Sequence, residues 1–263
     1  MRPVLAALAL LIGVFLPLAA PARAAEVEKC PDMIAGGPTI MKAALAADHV
    51  RLTFVGHATF LLETPGGTTA VTDYNDYVRA PVVPDIATMN KAHSTHNSLS
   101  PQPGIKHLLK GWGDDGKPAN WDVTEGDLRV RNVPTNIRDW AGGTEYDGNS
   151  IFVFEAAGLC IAHLGHLHHR LTPEHLQQLR HVDVLLAPVD GSYTLGAAGM
   201  IETISTIRAP LTIPMHIFGP STLERFLALA REKFEVKFEG ARFVEVSRAS
   251  LPRKQTVLVL EGR

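Results

Sequence analysis

Between Ser150 and His169 the chain reads as a strand, a turn at Ala157-Gly158, a second strand, and then His163-Leu164-Gly165-His166-Leu167-His168-His169. Four of the twelve histidines fall within those seven residues. A neutral imidazole nitrogen is a good ligand for zinc, iron, nickel or copper, and a loop at a strand end lets several rings converge. Without a metal, the same stretch would be a histidine-rich surface loop. The chain therefore has to present a sheet edge where other histidines can meet this one.

Other histidines do follow strands. Arg51–Val55 alternates as a half-buried strand should, and the small-residue bend Gly56-His57-Ala58-Thr59 leads to a second strand, Phe60–Thr64. Pro65-Gly66-Gly67 turns the chain into a third strand, Thr68–Thr72, closing on Asp73. Ile86–Asn90 reads as a short strand that runs into Lys91-Ala92-His93-Ser94-Thr95-His96. Residues 98–122 read as an irregular loop, long enough to line or cover a site. Leu128–Val133 is expected to end at Pro134, with a loop over Thr135–Gly143, before Ile151–Glu155 and Leu159–Ala162 pair. Helices are expected at Thr172–Arg180, where Thr172 can cap and Pro173 suits the first turn, and at Gly196–Ile207 and Ser221–Lys233. Strands are expected at Val182–Pro188, at Ala209–Pro214, which delivers His216, and at Arg242–Ser247 and Thr256–Leu260. This order predicts an α/β sandwich with its site at one edge of two sheets.

Residues 1–24 read as a cleavable export signal, with Arg2, the apolar run Val4–Ala20, and a small-x-small site ending at Ala24. The run is short and holds Pro17, which favours secretion over a retained anchor. Residues 25–49 form a lead-in, with a short helix expected at Pro38–Ala47, and one domain is expected over 50–263. Export implies a periplasmic or secreted protein. A disulfide between Cys30 and Cys160 is permitted there but not favoured, since Cys160 lies in an apolar strand. Net charge is −2 and there is no basic stripe, so nucleic acid is not an expected partner. No second apolar stretch is long enough to span a membrane. The expected partner is a small-molecule substrate, and the sequence leaves the oligomeric state open.

Four segments together resemble the metallo-β-lactamase superfamily: Phe54-Val55-Gly56-His57-Ala58-Thr59-Phe60, Thr72-Asp73, His163-Leu164-Gly165-His166 and Ile213-Pro214-Met215-His216. The branch most similar is that of L-ascorbate-6-phosphate lactonase and related metal-dependent hydrolases. The resemblance runs from Val50 to Phe218 and implies a four-layer αββα sandwich with a mono- or dinuclear site between the sheets. Departures from the family pattern are clear. The signature H-x-H-x-D-H has Lys91 for its first histidine and Thr95 for its aspartate. The next family histidine falls near Asn136 or Ile137, and the bridging aspartate corresponds to His166. The resemblance thus implies one metal on His96, His166 and His216, with His93 as fourth ligand, and zinc ahead of iron or manganese.

By the same resemblance Asp73 would orient a ligand imidazole, and His57 would line the pocket or support a ligand. Lys91 would hold an anionic group or replace a missing ion's charge, and Thr95 would stand where the water-positioning aspartate was. His169 would meet substrate or back a ligand, and Asp190 and Tyr193 would approach the pocket. His175 and His181 are expected to be solvent or packing residues. The function implied is metal-dependent hydrolysis of an ester, lactone or phosphoester. β-Lactam hydrolysis is not expected from so altered a signature. A non-catalytic metal- or ligand-binding protein on the same fold is the alternative, and a redox or oxygen-binding site a third reading.

Overall fold

The computed structural model describes residues 45–114 and 117–262. The expected export signal, Cys30 and most of the expected helix at Pro38–Ala47 lie outside the described residues.

Two sheets face each other. The first holds β1 (Val50–Gly56), β2 (Thr59–Glu63), β3 (Thr69–Val71), β4 (Ile86–Met89), β5 (His107–Lys110) and β13 (Phe243–Val246). Its order is β13-β1-β2-β3-β4-β5. The second holds β6 (Asp122–Glu125), β7 (Leu128–Arg138), β8 (Thr144–Ala156), β9 (Leu159–His163), β10 (Val184–Pro188), β11 (Leu211–Met215), β12 (Glu235–Phe238) and β14 (Thr256–Val259). Its order is β12-β14-β11-β10-β9-β8-β7-β6. The expected hairpins are in register, with Leu52 opposite Leu62 and Leu61 opposite Val71.

Period-two patterning explains the layers. In β1, Val50, Leu52 and Phe54 point into the space between the sheets, where Phe60, Phe152, Phe154, Leu186 and Ile213 meet them. In β8, Phe152 and Phe154 face that core while Ile151 and Val153 face the other way. On that outer face lie α1 (Pro173–Leu179), α2 (Ala197–Ile207) and α3 (Pro220–Ala230), contributing Leu179, Met200, Ile204, Phe226 and Leu227. The outer face of the first sheet is covered differently. Tyr74, Ala80, Ile105 and Trp112, from irregular chain, pack on Leu61, Val71, Ala87 and Met89, and no α-helix among the described residues lies there.

Several boundaries differ from expectation. β7 runs through Pro134 to Arg138, because past Arg131 it pairs only with β8. A proline costs little in a strand that is open on one side. Residues 98–122, expected to be irregular, hold β5 and the start of β6, two short edge strands with weak apolar patterning. His175 closes a reciprocal capping box: its amide donates to Thr172 Oγ1 (3.3 Å) and its Nδ1 accepts from the Thr172 amide (3.1 Å). Cys160 is a free, half-buried thiol, pushed up in pKa by burial, that packs beside the helical layer.

Phe154 is fully buried and Leu99 is 92% exposed. Phe154→Ala is expected to cost about 3–5 kcal/mol of unfolding free energy by urea titration. Leu99→Ala is expected to stay within about 0.5 kcal/mol of the parent.

Candidate metal centre

The site is built where strands end. His57 follows β1 at a register shift between Phe54 and Gly56, a bulge that re-aims the chain. Asp73 follows β3, His96 sits in a 3₁₀ turn (Ser94–His96) after β4, His166 follows β9, Asp190 follows β10 and His216 follows β11. His57, Asp73 and His216 have φ of 54°, 42° and 57°. Such left-handed backbone is costly for non-glycine residues and persists where surroundings hold it. Here they do: the His216 amide donates to the His57 carbonyl at 2.7 Å. His163 Nε2 donates to the Ala58 carbonyl at 2.8 Å, and its Nδ1 accepts from the Gly165 amide at 3.1 Å. Buried His163 thus ties the loop of His57 to the loop of His166, across the two sheets.

Two carboxylates stand behind two of the imidazoles. Asp73 Oδ2 lies 2.5 Å from His96 Nδ1, and Asp190 Oδ1 lies 3.0 Å from His216 Nδ1. Burial pushes the Asp73 pKa up, but His96, His163 and the Asn90 amide outweigh it and hold the group ionised. At Asp190, burial is likewise outweighed, by His216, Thr194 and the Ser192 amide. Among the described residues, neither carboxylate touches a lysine or arginine. An ionised carboxylate accepts, so each imidazole carries its proton on Nδ1 and leaves a lone pair on Nε2.

Those two Nε2 atoms face each other at 3.2 Å. His57 joins them: the donor atoms of His57, His96 and His216 all lie within 4.8 Å of one another. His57 Nε2 is buried without a hydrogen-bond partner. Burial, then His216 and His96, push the His57 pKa down to about 3. Burial lowers that of His216 too, against the pull of Asp190. Burial thus disfavours a second proton on His57 and on His216, and a cation fits among the converging nitrogens. Its charge also fits: two buried carboxylates with no lysine or arginine partner among the described residues are balanced by one divalent ion.

Residues 51–216 match a family model described as the beta-lactamase superfamily domain. The chain belongs to the metallo-β-lactamase superfamily. A Methanoculleus marisnigri protein named UPF0173 metal-dependent hydrolase is 29% identical over 182 residues, covering 64% of this chain and 80% of its own. A Methanosphaerula palustris protein of the same name is 28% identical over 185 residues, covering 64% and 83%. The crystal structure of a Thermotoga maritima protein, assigned as a Zn-dependent hydrolase of the superfamily, is 29% identical with a TM-score of 0.60, covering 81% of this chain and all of that one. Igni18 from Ignicoccus hospitalis shares the fold at 17% identity and a TM-score of 0.52, covering 81% and 95%.

The trio whose ring nitrogens converge shares two residues with the four expected ligands. The shared residues are His96 and His216, and His57 completes the trio. His166 packs edge-on, its ring 4.7 Å from that of His96 and 4.9 Å from that of His216. Half-buried His93 sits further out, its ring 6.3 Å from His96, on the wall of a cavity of about 240 Å³. Lys91 lines the same cavity and forms an ion pair with Glu145. Thr95 is half-buried in the 3₁₀ turn and makes no hydrogen bond to the cluster among the described residues. His169 faces a separate cavity, beside Asn136 and His175, because the chain turns outward after His168. The partnership of Asp190 with His216 has a weak sequence signal, one acidic residue after an apolar strand.

Gly165 has φ of 60°, and a Cβ there would lie 2.4 Å from both Asn149 Oδ1 and Asn90 Nδ2. Those amides hold the His166 backbone and Asp73. Gly165→Ala is expected to cost at least about 2 kcal/mol in urea unfolding. In the same protein, metal uptake is expected to weaken.

Proposed function

We propose that this chain is an exported metal-dependent hydrolase. It holds one divalent transition metal on His57, His96 and His216 and cleaves an ester, lactone or phosphoester. The observation that carries the reading is the pair of facing Nε2 lone pairs, each fixed by a buried carboxylate. Two carboxylates match the charge of one dication, which favours a mononuclear centre over a dinuclear one. Three imidazoles suit zinc with an open position, and iron or manganese also accept such ligands. When bound, such an ion supplies Lewis-acid polarisation of a carbonyl or phosphoryl oxygen and lowers the pKa of water.

The residues supply the rest. Asp73 and Asp190 hold the ring orientation of His96 and His216. Asp73 is fully buried behind His96, so its role is to position that ring. His93 stands at the cavity wall, open to what enters. The naming of relatives as metal-dependent hydrolases supports the same reading.

Metal analysis of the untagged protein tests it. About one equivalent is expected, retained in Lys91→Ala and lost in His57→Ala, His96→Ala and His216→Ala. Chelation is expected to lower the melting temperature, and metal addition to restore it. Two equivalents, or none after incubation with zinc, iron or manganese, would overturn the mononuclear site. Export rests on residues 1–24: in a bacterial host, the periplasmic protein is expected to begin at Ala25 by intact mass. An uncleaved cytoplasmic product would count against it.

A further inference from the structure

We infer that the cleft beside the histidines binds an uncharged ester or lactone carrying a flat ring, in preference to a phosphoester. This rests on the hydrolase reading and names its substrate class. Two large aromatic side chains stand exposed on the cleft wall, Trp140 at 94% and Tyr193 at 57%, and Phe218, 57% exposed, stands next to Tyr193. Trp140 and Tyr193 meet His93 edge-on, with ring centres 6.1 and 6.2 Å away. Phe218 lies 5.3 Å from Tyr193 and 5.0 Å from His216, which carries the aromatic wall to the proposed ligands. Exposed aromatic surface gathered at a cleft mouth is the kind of patch that marks a binding site.

The charges at the cleft are already engaged. Lys91 pairs with Glu145. Arg138 Nη2 donates to the carbonyls of Ser192 (3.0 Å), Tyr193 (2.6 Å) and Thr194 (3.2 Å). Asp139 accepts from the amides of Ala141 (2.8 Å) and Gly143 (2.7 Å). Two cations and two carboxylates sum to zero, and both cations already donate to protein oxygens.

Two probes that cannot be hydrolysed separate these classes: 2-tetralone, an uncharged two-ring ketone, and 2-naphthalenesulfonate, an anion of similar shape. Calorimetric titration of the purified protein is expected to give tighter binding of 2-tetralone. Trp140→Ala and Tyr193→Ala are each expected to weaken it about 3- to 10-fold. Both side chains are exposed, so circular dichroism should be unchanged. Tighter binding of the sulfonate, or no loss in either variant, overturns the inference. Intact 2-tetralone binding with no turnover of any ester would sink only the hydrolase reading.

The hydrogen-bond pattern points independently to His166 as a donor to substrate oxygen, and not as a metal ligand. The Arg138 backbone amide donates to His168 Nδ1 at 2.5 Å. A backbone amide cannot accept, so the His168 proton is on Nε2, which lies 2.5 Å from His166 Nδ1. His166 Nδ1 must then accept, and its own proton sits on Nε2. That tautomer is opposite to those of His96 and His216, whose Nδ1 atoms face carboxylates. His166 Nε2 is buried without a protein partner. An N–H in that position suits an oxygen on which negative charge develops.

His166→Ala and His166→Gln are expected to keep the metal content of the parent while His96→Ala loses it. The alanine variant is expected to lose about 100-fold or more in ester turnover, with partial recovery by glutamine, whose amide also donates. Long-range ¹H–¹⁵N NMR of the ring nitrogens is expected to show the His166 proton on Nε2. Loss of metal in His166→Gln, or a proton on Nδ1, overturns the assignment.

Discussion

Two negative charges lie between the sheets of this protein, and three residues with left-handed backbone, His57, Asp73 and His216, are gathered around them. Asp73 and Asp190 are buried, ionised, and met by imidazoles and amides instead of ammonium or guanidinium groups. A buried charge without compensation is expensive. The loop Asp190–Thr194 wraps its own amides and hydroxyls onto the Asp190 carboxylate, and Asn90 reaches across to Asp73. What these groups leave over is the charge of one dication. The left-handed backbone at His57, Asp73 and His216 is tolerated because it brings the donors to one point.

By the resemblance to the superfamily signature, the site keeps only part of the ligand set. Lys91 and Thr95 replace two of the signature's ligands, and neither reaches the cluster. Of the histidines that remain, His96 and His216 are the two that a carboxylate supports from behind, and His93 lines the cleft. His166 occupies the place of the bridging aspartate, where it exchanges an acceptor for a donor. A carboxylate there would have added a third negative charge to a site that already balances with two.

Long, strongly patterned strands were legible in the residues. The alternation of Val50, Leu52 and Phe54 and the wholly apolar Val184–Pro188 leave little choice of partner. Short edge strands were not: His107–Lys110, Asp122–Glu125 and Glu235–Phe238 carry few apolar residues and are fixed by tertiary pairing. Pro134 reads as a stop because sequence does not reveal which side of a strand is open. At the site, positions after strands mark the candidate histidines and Asp73, and the choice of His96 and His216 among them rests on the resemblance. His57 read only as a pocket or supporting residue, because its approach to His216 depends on a bulge and a left-handed bend. The tautomer of His166 is set by an amide 28 residues earlier in the chain, which no local pattern records.

That amide belongs to the hairpin of β7 and β8, whose turn carries Trp140. One segment therefore shapes the mouth of the cleft and, through Arg138 and His168, dictates which nitrogen of His166 is protonated. Recognition and reactivity are not separable modules here. Grafting another hairpin to accommodate a different substrate would also rewire the proton order two imidazoles away, unless the new backbone offered an N–H at the same place.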